Sequence, residues 1–319
     1  MQQSALAVRQ PGRTAPAARR WRAARRWRSA GVPYVFIGPF YLLFVLFTVG
    51  PLIYAAYLSL FTHTLTGANM FVGLQNYRTL FGTSDFWTGL VGVVVLGVVQ
   101  VPVMLAISVF LAVVLDMGLV RYGPMFRLLY FVPFAIPGAV AAIMWGYLLV
   151  PDLSPLDVIF SHIGLGTPNL LGGGFLWPAL GNILTWELLG YNMLIIYTAL
   201  QAVPRELTEA AVLDGAGAWT IARSVRIPMV RGAIVLAALF SAIGTLQLFT
   251  EPELLANLTG AINSHLTPNL YLYTQAFSGQ EANLASAGAL VLAVIIAVAA
   301  GVISLALRRG SAQREARHG

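Results

Sequence analysis

The 319-residue sequence contains no cysteine and no lysine. Without cysteine there is no disulfide framework, no thiol nucleophile and no thiolate metal site. Without lysine there is no phosphate-binding P-loop lysine and no Schiff-base chemistry. Charge of either sign is scarce: acidic and basic residues make up 10% of the chain, against about 25% in a soluble globular domain. The four histidines, His63, His162, His265 and His318, are far apart and fall in loops or the tail, so no metal site is expected. Paired carboxylates and histidine clusters of the kind a membrane-embedded enzyme needs are missing from the apolar runs.

What the chain does have is apolar length. Hydrophobic residues form 58% of it and the mean hydropathy is +0.77. Six runs, near 34–60, 86–115, 128–150, 177–200, 230–249 and 285–307, approach the roughly 20 residues that cross a bilayer core. The expectation is an all-α polytopic membrane protein with six transmembrane helices. Pro102 predicts a kink in the second run, and Pro133 and Pro137 interrupt the first half of the third.

Residues 1–30 are rich in Arg, Ala and Pro and carry no pattern able to build a core, so a disordered basic tail is expected there. The pairs Arg19-Arg20 and Arg25-Arg26 invite comparison with a twin-arginine signal, but the following apolar run is too long for one and lacks a small-residue cleavage site. The domain reading is a tail (1–30), a transmembrane domain (31–310, core 86–307) and a second tail (311–319). The net charge of +7 is all arginine. Arginines flank the spans, which points to lipid headgroups and topology, not nucleic acid. Those of the first tail, the second-to-third loop, the fourth-to-fifth loop and the last tail alternate onto one side, with Arg78 alone on the other. The positive-inside rule makes that side, and both termini, cytoplasmic.

The most polar internal stretch is 204–228, between the fourth and fifth spans. Pro204 suits a first helical position, and Glu206 and Glu209 suit the positive start of a helix. Gly215 and Gly217 end that helix in a tight turn. A second amphipathic helix, 218–225, carries Trp219, Ile221 and Arg223, with Arg226 just after it, and Pro228 is expected to stop it. The product is a helix-turn-helix knob on the cytoplasmic face. Read alone, it is also compatible with an ordinary interfacial helix.

The spacing Glu209-Ala210-Ala211, three residues, Gly215, nine residues, Val225-Arg226-Ile227-Pro228 resembles the EAA motif of permease subunits of ATP-driven importers. Most of 33–307 is similar to the sugar-type permeases of the maltose and glycerol-3-phosphate importers. Phe71-Val-Gly-Leu-Gln-Asn-Tyr77 matches that family's segment near the external binding protein. The family's Thr-Gly-Gly-Gly-Pro element is replaced here by Leu258-Thr-Gly-Ala-Ile-Asn-Ser-His265. The resemblance implies a type I ABC importer permease fold in a prokaryotic plasma membrane. It also implies that the knob docks on a separate ATPase, expected as a homodimer. Glu209, Ala210, Ala211, Asp214, Gly215 and Pro228 are then the coupling residues. ATP and Mg belong to that partner, and this chain carries no cofactor. A second related permease, an extracytoplasmic solute-binding protein and a sugar-like substrate complete the expected assembly.

Polar groups inside a bilayer usually face a cavity or one another. On the fifth span Ser241, Thr245 and Phe249 recur at four-residue spacing, with Gln247 beside them. Hydroxyls, an amide and an aromatic ring suit a neutral sugar, and in the resembled permeases this part of the fifth span lines the translocation cavity. Ser and Thr also bond their own helix backbone, which would need no substrate. Glu187 is the one ionisable residue placed well within a span. It either meets substrate hydroxyls or a cation, or pairs with an arginine of a partner. Tyr191 and Asn192 follow it as further candidates for the path. A secondary transporter is the competing function, and the scarcity of mid-membrane charges weighs against it.

Overall fold

The computed structural model describes residues 34–63, 69–151, 154–164, 166 and 168–318. The basic tail 1–30 lies outside them, as do the side chains of Arg308, Arg309, Arg314 and Arg317. The chain falls into two compact units, one ending at Tyr57 and one starting at Leu58. In the first, α1 (Tyr34–Leu58) is an apolar helix of 25 residues. It contains a π-helical turn at Val45–Val49.

The second unit opens with a small antiparallel hairpin, β1 (Phe61–His63) on β2 (Asn69–Phe71), with Phe61 opposite Phe71. The helical expectation did not include it. It is pinned by the Phe71–Tyr77 segment: Asn76 Nδ2 donates to the backbone carbonyls of Ser59 and Phe61, each at 2.8 Å. Helix α2 (Gln75–Gly82) leads into α3 (Ser84–Asp116), a 33-residue helix. At 1.5 Å per residue α3 is about 50 Å long, more than a bilayer core requires.

The third span is broken. Helices α4 (Gly123–Ala135) and α5 (Gly138–Leu149) meet at 95°. The residue before a proline is pushed out of helical geometry, and Ile136, ahead of Pro137, is extended with ψ 128°. A short helix α6 (Pro155–His162) precedes the fourth span, α7 (Leu176–Gln201). The knob follows as α8 (Arg205–Leu213) and a continuous helical run over 218–229, here α9. That run is Ala218–Ile221, a π-helical turn Ala222–Arg226, and Ile227–Met229. Pro228 does not stop α9 as expected from the sequence. It sits in the first turn after the wide π turn, where its missing N–H and its ring are tolerated, and the chain kinks at Val230 instead.

The fifth span, α10 (Arg231–Leu246), is extended by α11 (Thr250–Leu255). Then α12 (Pro268–Phe277) and α13 (Ala282–His318) close the chain. Among the described residues, five single helices and one bent pair are long and apolar enough to cross a membrane, which makes six spans.

Helix α3 is the spine: α7, α10 and α12 all pack on it, and α4 packs on α7. A large apolar cluster gathers Leu80, Phe86, Val93, Leu180, Ile183 and Leu255. A second one sits where α3 and α7 end, with Ala112, Val113, Met193, Ile196 and Leu200 meeting Ala222 and Val230 of the knob region. Helices α4 and α7 approach so closely at Gly190 that a Cβ there would overlap the Tyr130 carbonyl. Gly190→Val should therefore force the two helices apart. Overpacking of this kind costs about 1–3 kcal/mol, and a lowered unfolding temperature of the purified protein in detergent is the expected reading.

Candidate functional site

Two regions carry the polar chemistry. The first is the knob. Pro204 is the N-cap of α8, one position earlier than the sequence implied, and Glu206 lies in the first turn. Helix α8 stops at a Schellman turn. The N–H of Gly215 donates to the Val212 carbonyl and that of Ala216 to the Ala211 carbonyl, both at 2.9 Å. Gly215 has φ +79°, a conformation that a side chain with a Cβ resists. The turn leaves the tip open: Glu209, Ala210, Asp214, Gly215 and Pro228 are exposed and Ala211 is half-buried. Three apolar side chains also face out there, Val212, Leu213 and Trp219, with Leu213 88% exposed. The root of the knob is the opposite. Ile221, Ala222 and Val230 are buried, and Ala222 and Val230 are held in the apolar cluster at the ends of α3 and α7.

The second region is a polar layer between α3, α7 and α10. Asn192 Nδ2 donates to Ser241 Oγ at 3.0 Å. Thr245 Oγ1 donates to the Ser241 carbonyl at 3.0 Å and lies 3.4 Å from Gln100 Oε1. Gln100 Nε2 donates to Thr185 Oγ1 at 3.1 Å, and Ser108 Oγ to the Leu189 carbonyl at 3.1 Å. Asn192, Ser241 and Thr245 are all buried. The structure thus joins these three residues, and adds Gln100, Ser108 and Thr185, which the sequence does not name as path residues. In the sequence Gln100 stands out only beside Pro102, although an amide at mid-span is itself a signal.

The other path candidates stand elsewhere. Gln247 is exposed at the end of α10. Tyr191 stacks on Phe134 with ring centres 4.4 Å apart, and Phe249 tilts against Tyr273 at 5.1 Å. Glu187, half-buried, points toward the first residue of α5. From the position a Cβ would take on Gly138, Glu187 Oε1 is 4.0 Å away and Glu251 Oε1 is 3.5 Å. Glu187 is therefore not the sole ionisable group in the spans. Glu251 is 8% exposed. It comes from α11, which extends the fifth span beyond Phe249 and packs on α5. The broken third span thus presents the start of a helix to two carboxylates.

A groove-like cavity of about 670 Å³ opens along α3 and α7, walled by Gly92, Leu96, Val103 and Trp177 and edged by Gln100 and Thr185. It touches the polar layer through the last two residues, and the seven path candidates read from the sequence do not line it. Among the described residues no group of three or more His, Cys, Asp or Glu is placed to hold a metal ion.

Comparison with known proteins decides what this architecture is. The family model described as binding-protein-dependent transport system inner membrane component matches residues 105–316. The chain belongs to this family. It is a multi-pass permease subunit of the inner membrane and not an enzyme. The permease is 32% identical to the lactose transport system permease protein LacF of Rhizobium radiobacter, over 76% of this chain and 83% of that one. It is 30% identical to the arabinooligosaccharides transport system permease protein AraP of Bacillus subtilis, over 90% and 91%. It is 28% identical to the trehalose transport system permease protein SugA of Mycobacterium tuberculosis, over 84% and 85%. A solved bacterial ABC transporter involved in the import of the acidic polysaccharide alginate has a chain of the same fold, with TM-score 0.75 and 19% identity, covering 91% of this chain and 99% of that one.

The polar layer makes a measurable prediction for the permease. Interhelical hydrogen bonds within a bilayer average about 0.6 kcal/mol and reach about 1.7 kcal/mol. A double-mutant cycle of Asn192→Ala and Ser241→Ala should return a coupling energy in that range by unfolding in mixed micelles.

Proposed function

We propose that this permease is the membrane subunit of an ATP-driven importer of sugars, and that the 204–228 knob is where a separate ATPase docks. The observation that carries the docking reading is the contrast within the knob. Its tip exposes Leu213 and Trp219 beside the Gly215 turn, while its root is buried between the ends of α3 and α7. Exposed apolar groups framed by polar ones suit a protein partner, and a buried root suits transmission of force. With no lysine in the chain, a P-loop nucleotide site has to be supplied by the partner, together with its ATP and Mg.

The solute is a neutral mono- or oligosaccharide. Relatives named for lactose, arabinooligosaccharides and trehalose support a sugar. The interior of the spans supports neutrality. Hydroxyl and amide groups of Gln100, Thr185, Asn192, Ser241 and Thr245 sit there, with no arginine among them to meet an anionic solute. Both termini and the knob are cytoplasmic in this reading, on the arginine distribution. An extracytoplasmic receptor delivers the solute at the opposite face. A second, related permease supplies the other half of the path, since one chain carries one knob. Closure of the ATPases moves the knobs, and rigid-body motion of the spans alternates access.

Two measurements test this. Gly215→Val places a β-branched residue at φ +79°, a strain of about 1–3 kcal/mol. The expected result is normal amounts of the protein in the membrane with uptake abolished. Unchanged uptake would remove the docking role. Mild-detergent purification from native membranes should recover an ATPase, a second permease and a solute-binding protein. A chain that purifies alone, with uptake that follows an ion gradient and survives ATP depletion, would make it a secondary transporter.

A further inference from the structure

Helix α3 ends on Asp116 and α7 ends on Gln201. A carboxylate at a helix C-terminus is in the wrong field, because the negative end of the helix dipole repels it. The structure resolves this with two partners. Gln201 Nε2 donates to Asp116 Oδ1 at 2.6 Å, and the Arg226 guanidinium forms an ion pair with Oδ2. The Asp116 side chain is 3% exposed and that of Arg226 is 18% exposed. Arg226 also reaches Thr208 Oγ1 on α8, at 3.4 Å. One buried carboxylate therefore ties together the ends of α3 and α7, the second knob helix and, more loosely, the first.

We propose that the Arg226–Asp116–Gln201 network is the linkage that carries displacement of the knob into α3 and α7. The proposal rests on the reading that the knob docks on an ATPase. The physical reason is the cost of separation. If α9 moved away alone, a buried carboxylate at a helix C-terminus would lose the cation that balances it, and an uncompensated buried charge is strongly unfavourable. Moving α3 and α7 with the knob avoids that state. The apolar contacts of Ala222 and Val230 with Ala112, Val113 and Leu200 hold the same joint, but they are non-directional and tolerate sliding. The Gln201–Asp116 hydrogen bond is directional, and with the Arg226–Asp116 ion pair beside it fixes the register of the joint. The π turn Ala222–Arg226 places Arg226 at the contact, and local π turns of this kind are frequent at functional positions. Helices α3 and α7 are also the two walls of the cavity, so a pull on their ends reaches its lining directly.

The absence of cysteine makes the test direct. Val103→Cys places a single thiol on the cavity wall of α3, where Val103 is 54% exposed. With the assembled importer in nanodiscs, the rate of maleimide labelling is measured with and without ATP and vanadate. The probe is this conformational change, so the solute need not be known. In the Val103→Cys background, Asp116→Asn should retain co-purification of the ATPase and lose the ATP-dependent change in labelling, by the roughly 5- to 150-fold typical of a lost coupling. The double variant Asp116→Asn/Arg226→Gln leaves no orphan charge, so it should regain the thermal stability of the parent while remaining unresponsive to ATP. Three results would overturn the proposal: a full ATP response in Asp116→Asn, loss of ATPase co-purification in that variant, or a double variant that regains both stability and response. Failure of the docking reading gives a different pattern, with Gly215→Val fully responsive to ATP.

Discussion

A bilayer core has no water to satisfy polar groups, and the rest of this molecule depends on that constraint. Backbone N–H and C=O groups must be paired within each span, so the spans are helices. The same constraint acts on side chains. Gln100, Thr185, Asn192, Ser241 and Thr245 converge on one another across α3, α7 and α10. Their hydrogen bonds fix the rotation of three helices about their axes, which apolar packing alone does weakly. Where the chain does break within a span, at Ile136-Pro137, the freed start of α5 is turned toward Glu187 and Glu251.

The cytoplasmic end in the proposed orientation applies the same physics to the knob. The root of the knob is apolar and close-packed, and the buried Asp116–Arg226 pair is shared between the knob and the spine. Its tip is open and shaped by a turn that only glycine adopts without strain. A coupling element needs both properties. A loose root would absorb motion of the partner, and a buried tip could not meet one. The cavity lies on the two helices that the root grips, so the joint, the polar layer and the cavity share α3 and α7 as a common frame.

Much of this was legible in order along the chain. Apolar runs of bilayer length marked all six spans, because hydropathy depends on composition and length alone. The turn at Gly215 was legible because a glycine directly after a helical pattern supplies the left-handed residue on which helices commonly end. The break of the third span was foreshadowed by Pro133 and Pro137. Pro228 misled in the opposite sense. A proline stops a helix only where a preceding carbonyl sits in its way, and the π turn Ala222–Arg226 removes that conflict.

Sequence by itself determined the class of molecule, its spans, its knob and its family, since these are properties of local composition and of spacing along the chain. The tertiary structure alone decided which polar groups meet. Gln100 and Thr245 are far apart in the chain and share a hydrogen-bonded layer. Glu251 joins Glu187 only because α11, continuing the fifth span, packs on α5. Asp116 and Arg226 form an ion pair only because the knob's root seats between the ends of α3 and α7. The physical reason is the same in each case. A polar side chain in a low-dielectric interior takes the partner that packing brings within hydrogen-bond reach, and helix packing over long sequence separations leaves no periodic mark in the sequence.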